Sequence, residues 1–237
     1  MAGFFGNNSG DAISPVSSDT QIRPLMRMVY VWMTIGLFVT AGVAMWVASS
    51  PTLINSARQF FIPAVIGELV LVIALSWGLR RMSPGLAIAL FFAYAAVNGF
   101  TLSLIFLVYK LGTIQLAFVS TAATFGVMSV VGYTTQLDLS KYRTYFLMAL
   151  IGLLVAMVVN IFLQSSTFDL LISMFGVILF TALTAYDTQK IKRLAADPEI
   201  AADGSLTLKL SIMGALTLYL DFINLFLFIL RLMGRRR

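Results

Sequence analysis

Seven apolar runs, each long enough to cross a bilayer, set the limits on what this chain can fold into. They cover residues 28–47, 61–79, 86–109, 114–133, 145–163, 168–191 and 208–232. A helix needs about 20 apolar residues to span about 30 Å of hydrocarbon. Barrel strands would instead alternate over about 10 residues, and these runs do not alternate. The fold class is therefore an all-α integral membrane protein with seven transmembrane helices. The breaks between runs carry turn chemistry: SSPT, RRMSPG, KLGT, QLDLSKYR and QSST. Composition agrees, since 59% of residues are hydrophobic and 11% charged, against about 25% charged in a soluble domain.

Residues 1–22, MAGFFGNNSGDAISPVSSDTQI, are polar and rich in Gly, Ser and Asn. They lack the basic start and apolar stretch of a cleavable signal, and a disordered tail is expected. Residues 23–237 form one membrane domain. The absence of Cys and His removes thiol chemistry, the usual general base and the commonest transition-metal ligand. Loop charges set the orientation. With the N-terminus inside, the cytoplasmic segments hold ten Lys and Arg, among them Arg80, Arg81, Lys190, Lys192 and Arg193, against Arg58 and Lys110 outside. The C-terminal tail then falls outside despite Arg235, Arg236 and Arg237; an even number of spans would bring it in.

Two runs carry a carboxylate where hydrocarbon is expected. Asp187 stands in the last turns of the sixth, VILFTALTAYDTQKIK, and Asp221 inside the seventh, ALTLYLDFINLFLFILRL. A charge at the centre of a spanning helix costs about 2.5–3.5 kcal/mol on insertion scales and marks a functional site. Helical spacing puts Ser173, Gly176, Thr184 and Asp187 near one face, and Ser211, Gly214, Asp221 and Asn224 near one face of the next helix. Such stripes let helices approach closely and line an interior or a wet cavity. The glycines suit plain packing, whereas the carboxylates need a role. Two carboxylates facing one another in low dielectric do not both ionise readily and titrate as a unit. A proton sensor, a cation site and an acid–base dyad all fit.

Glu68, in IGELVLVIALSW on the second helix, is a third intramembrane acid. With Thr184 and Asn224 it is a candidate for lining a cation path. Arg80 and Arg81 close the second helix on the cytoplasmic side, either as ordinary anchors or as a cationic latch for the aspartates. Asn98 and Asn160 are expected to hydrogen-bond between helices, and Trp32, Trp46 and Trp77 to anchor at the interfaces.

Over TAYDTQKIK and LTLYLDFINLFLFILRLMG the chain resembles the Bax inhibitor-1 family, in particular its bacterial inner-membrane members. The resemblance extends from about Arg23 through RPLMRMVYVWMTIGL. It implies a seven-helix fold with the last helix central and six around it, and a calcium leak that responds to pH. The family's paired aspartates map onto Asp187 and Asp221. Its gate arginine closes the second helix. Here SWGLRRMSPG places Leu79 at that spacing and offers Arg80 beside it as the latch.

The leading expectation is a pH-sensitive calcium leak channel, not an enzyme, with no cofactor beyond a transient calcium at Asp187 and Asp221. Calcium takes six to eight oxygen ligands, so two carboxylates with carbonyls and water make a weak site. The expected partners are the lipid bilayer, calcium and other membrane proteins, with no nucleic acid. An intramembrane aspartyl protease also carries YD on one helix and an aspartate on the next. Here, however, Leu218 and Leu220 replace the glycines of its G-x-G-D pattern, and no proline follows. A proton-coupled transporter, and a regulatory membrane protein acting through partners, are further alternatives.

Overall fold

The computed structural model describes the backbone of residues 16–79 and 81–234 and, within these, the side chains of all but 16–21, 199 and 201. All regular structure among the described residues is helical. In chain order the α-helices are α1 (Val16–Ala48), α2 (Pro51–Gln59), α3 (Phe61–Gly78), α4 (Pro84–Leu102), α5 (Ile105–Val108), α6 (Leu111–Thr134), α7 (Arg143–Leu163), α8 (Ser166–Ala195), α9 (Pro198–Ala202) and α10 (Gly204–Met233), with a 3₁₀ turn at Leu139–Tyr142. Seven stretches are long and apolar enough to span: Ile22–Ala48, Phe61–Gly78, Pro84–Val108, Leu111–Thr134, Leu139–Leu163, Ser166–Ala195 and Gly204–Met233. They coincide with the seven expected runs.

Three local features depart from the sequence reading. The first helix begins at Val16 and so takes in the last residues of the stretch assigned to a tail; residues 1–15 lie outside the described residues. SSPT opens a short helix, α2, where only a turn was expected: Pro51 fits the first helical position, whose N–H has no partner to lose. The third span tightens at Ser103 and Leu104, where Leu104 N–H reaches Thr101 O and Phe106 N–H reaches Ser103 O. That three-residue bonding separates α4 from α5.

The last helix is the core. Of its spanning window 72% is buried, against 6% for α3 and for the α7 span. Aromatic side chains fix it on several sides. Tyr219 meets Phe91 and Tyr94 edge-on at 5.9 and 5.7 Å, Phe222 meets Phe118 and Phe125 at 5.5 Å, and Phe228 stacks on Phe180 at 5.8 Å. Helices α1, α4, α6 and α8 pack directly on α10, while α3 packs chiefly on α4 and α7 on α8. Four helices therefore enclose the last one and two stack outside them, rather than all six forming one ring. The outer helices present Ile66, Leu69, Val70, Ile73, Leu147, Ile151 and Leu154 outward, as a lipid-facing surface must.

Two glycines set the closest helix contacts. A Cβ on Gly132 of α6 would overlap the backbone of Ala185 on α8, and one on Gly99 of α4 would lie 2.6 Å from Thr40 O on α1. Backbone cannot step aside as a side-chain tip can, so only glycine fits. Gly126, on the same helix as Gly132, has open space at its Cβ. We expect Gly132→Val to lower stability by about 3 kcal/mol, the upper end of overpacking costs, and Gly126→Val to leave it nearly unchanged. Thermal unfolding of the detergent-solubilised protein, followed by circular dichroism, checks the contrast.

Candidate functional site

α8 and α10 run antiparallel and are joined by the segment holding α9. The face of the bundle bearing this segment is termed the near face, and the opposite one the far face. The small-polar stripes do point inward: Ser173, Gly176, Thr184 and Asp187 on α8, and Ser211, Gly214 and Asp221 on α10, are all buried. Asp187 is 8% exposed and Asp221 5%. The two carboxylates lie close enough for their charges to act on one another. Asp221 Oδ2 is sealed from solvent and finds no hydrogen-bond partner among the described residues, as do the hydroxyls of Thr188 and Ser173.

The described cation at this pair is Lys190. Its Nζ lies 3.6 Å from Asp187 Oδ1, one turn further along α8, and 6.0 Å from the centre of the Tyr186 ring. Sequence reasoning took Lys190 for a positive-inside anchor; the signal for more was its spacing, since residues three apart share a helix face. Arg80, the expected latch, lies outside the described residues. A cavity of about 50 Å³ opens beside Asp187 and Lys190, walled by Leu25 of α1, Ile191 and Leu194 of α8, and Leu210, Met213, Gly214 and Thr217 of α10. It has room for about one or two waters, and Asp221 lies outside its lining.

The other candidates do not join the pair. Thr184 Oγ1 donates to Phe180 O and Asn224 Nδ2 to Leu220 O, each within its own helix. Glu68 lies on α3, where Thr101 Oγ1 donates to Oε1 at 2.7 Å and Asn98 Nδ2 to Oε2 at 3.3 Å. Asn98 Oδ1 accepts from the Tyr219 hydroxyl at 2.9 Å, and that hydroxyl lies 2.7 Å from Thr40 Oγ1. Thr40 also donates to Ala95 O. This chain ties α3, α4, α10 and α1 together; sequence reasoning singled out its Glu68, as a cation-path candidate, and its Asn98, as an interhelical bonder, but not Thr40, Thr101 or Tyr219. Tyr219 is two residues from Asp221, about 200° around the helix, so α10 carries polar chemistry on opposite sides. Asn160 does not bond between spans as expected; its Oδ1 accepts from Ser165 N–H in the following turn. Trp46 and Trp77 are exposed as anchors should be, whereas Trp32 packs edge-on against Phe92.

Below the pair, α8 holds down the loop between α6 and α7. Gln189 Nε2 donates to Leu137 O and its Oε1 accepts from Leu139 N–H. Arg193 bridges Asp138 Oδ1 and Ser140 Oγ. Lys192 donates to Tyr133 O in the last turn of α6 and sits over that residue's ring, as a cation at a helix C-terminus should. Hydrogen bonding by the Ser140 hydroxyl, then by Arg193, draws the Asp138 carboxyl down from 3.8 to about 2.

A seven-helix membrane protein whose central last helix and its antiparallel neighbour share a buried acidic pair is the class that this fold and site define. The family model described as Inhibitor of apoptosis-promoting Bax1 matches residues 22–237. The chain belongs to this Bax inhibitor family, as the TAYDTQKIK and LTLYLDFINLFLFILRLMG blocks indicate. It is 46% identical over 229 residues to the inner membrane protein YbhL of Escherichia coli (strain K12), covering 93% of this chain and 97% of that one. A protein of Deinococcus radiodurans is 44% identical over 216 residues, covering 91% and 92%. One of Borreliella burgdorferi is 42% identical over 215 residues, covering 90% and 92%.

The depressed Asp138 carboxyl fixes how the loop tether responds to acid. A carboxyl lowered on folding contributes above its unfolded value, and the contribution is lost as pH falls through the folded one. The tether is therefore expected to hold unchanged from pH 8 down to about pH 4 and to fail near pH 2. Amide exchange at residues 137–140 should be faster in Arg193→Gln and, for the wild type, should show no titration between pH 5 and 8 beyond the intrinsic exchange rate.

Proposed function

We propose that this protein is a pH-sensitive leak channel for calcium in the inner membrane, gated by Asp187 and Asp221. The carrying observation is the buried pair: two interacting carboxylates, one oxygen of which has no donor among the described residues, behind a small cavity faced by Lys190. The inner-membrane location rests on the name of the relative YbhL. The excess of Lys and Arg in the loops of one side supports a cytoplasmic N-terminus and near face and an outside C-terminus.

At neutral pH the pair holds one proton and one negative charge, because two bare carboxylates in low dielectric repel. Lys190 answers that charge and stays over the mouth, while Leu25, Ile191, Leu210 and Met213 keep it narrow. Acidification supplies the second proton. The attraction for Lys190 is lost, its ammonium moves into water, and the apolar walls are free to part. Calcium takes oxygen ligands, and the side-chain oxygens it would meet there are those of Asp187 and Thr217. Among the described residues no third acid joins the pair, so the site is weak, as passage requires. Protonation weakens it further, so open probability and calcium affinity move oppositely with pH. Glu68, in the far half, is the acid that a cation meets from the other side. Lys190 takes the part that the family resemblance assigns to Arg80.

Flux into liposomes loaded with a calcium dye tests the reading. Asp187→Asn removes the charge that holds Lys190, so it should raise the leak at neutral pH by about fivefold or more, the low end of coupling between linked groups, and flatten the pH response. Lys190→Met should leak likewise; Arg80→Ala tests the alternative latch, and Arg81→Ala should change little. Wild-type flux with full pH dependence in both Asp187→Asn and Asp221→Asn would refute the gate.

The orientation has its own check. A periplasm-active reporter fused after Met233 should be active, and one inserted between Ala196 and Asp203 silent. The reverse pattern overturns the proposed topology.

A further inference from the structure

A second polar site lies at the far face, away from the acidic pair. A cleft of about 740 Å³ runs between the end of α7, the start of α8 and the end of α10, and Asn160, Asp169 and Arg231 line it together with Leu154, Val158 and Ile161. The three aliphatic side chains are 54%, 55% and 68% exposed and belong to the lipid-facing surface. One wall is thus hydrocarbon-compatible, and the cleft lies at the far ends of three spans.

The polar end of the cleft is built but unsatisfied. Arg231 is half-buried, and its one described partner is the Phe228 ring, 5.4 Å away. It makes no hydrogen bond or ion pair with any described residue, although Asp169 lines the same cleft. Asn160 spends its oxygen on Ser165 N–H, and its amide NH₂ has no acceptor among the described residues. The first turn of α8 begins here too, capped by Ser165 Oγ and carrying Asp169. A guanidinium and a free amide donor favour a phosphate. A carboxylate set apart from the guanidinium favours an ammonium.

We propose that this cleft binds a phospholipid of the far leaflet with an ethanolamine headgroup. Arg231 and Asn160 hold the phosphate, Asp169 holds the primary ammonium, and an acyl chain lies along Leu154, Val158 and Ile161. The lipid, and not a water-borne headgroup, is the occupant, because most of the cleft is apolar surface, which an acyl chain covers and a headgroup alone does not.

Native mass spectrometry of the full-length protein in mild detergent tests this with phosphatidylethanolamine and phosphatidylglycerol of matched acyl chains. The wild type should retain phosphatidylethanolamine in preference to phosphatidylglycerol. Arg231→Gln should weaken retention of phosphatidylethanolamine by about tenfold, the loss of one charge-assisted contact, and Arg231→Lys should keep most of it. Asp169→Asn should abolish the preference between the two lipids without abolishing binding, a change that loss of folding cannot mimic. Equal retention of both lipids by the wild type, or undiminished retention by a folded Arg231→Gln, overturns the proposal. If Arg231→Gln does not fold, an unchanged preference in Asp169→Asn overturns it. So does displacement of the lipid by an equal concentration of glycerophosphoethanolamine, which would make the occupant water-borne.

Discussion

Water does not reach the middle of a bilayer, so a polar atom there is satisfied by the protein or is left at a cost of several kcal/mol. The central helix α10 meets this constraint in opposite ways on two of its faces. Around Tyr219 the hydroxyl bonds to Thr40 and Asn98, and Asn98 continues to Glu68. That side holds four helices in one arrangement. Around Asp221 the bonding stops short, with one carboxylate oxygen sealed and without a partner among the described residues. One helix thus carries a satisfied polar face and, on its other side, a polar atom left open.

What the sequence made legible follows from the same physics. Spans can be read because twenty apolar residues in a row have few other uses, and Asp187 and Asp221 stand out because hydrocarbon makes them expensive. Their inward direction could be read from the spacing of Ser173, Gly176, Ser211 and Gly214, small residues that mark a contact face. Pairing across helices was not legible. Nothing in TLSLIF says that Thr101 bonds to Glu68, and Lys190 looks like any lysine at the end of a span until Asp187 is found beside it. The arrangement around α10 was hidden as well: α3 and α7 are as apolar as their neighbours, and nothing in their composition says that they stack one layer out. The short helix α2 was read as a turn because Pro51 serves both.

The near half of the bundle keeps two kinds of carboxyl contact next to one another on α8. Gln189 and Arg193 fasten the α6–α7 loop through amide and guanidinium contacts, and the one carboxyl involved titrates far below physiological pH. Asp187, two residues before Gln189, is paired with the Lys190 ammonium instead. Both kinds of contact fit within two turns because alternate positions on a helix face different neighbours.

The glycine contacts divide the molecule mechanically. Gly132 locks the backbone of α6 to α8, and the strapped loop and the α6 end held by Lys192 reinforce that lock. Gly99 locks α4 to α1 in the same way. The small cavity beside Asp187 lies where these two blocks meet, with Leu25 contributed by one and Ile191 and Leu194 by the other. A wider cavity would need one of these stiff plates to shift against the other along a seam, with α10 as the spindle between them. Because each plate is locked along its backbone, such a shift would be carried along its length and not confined to the side chains at one end.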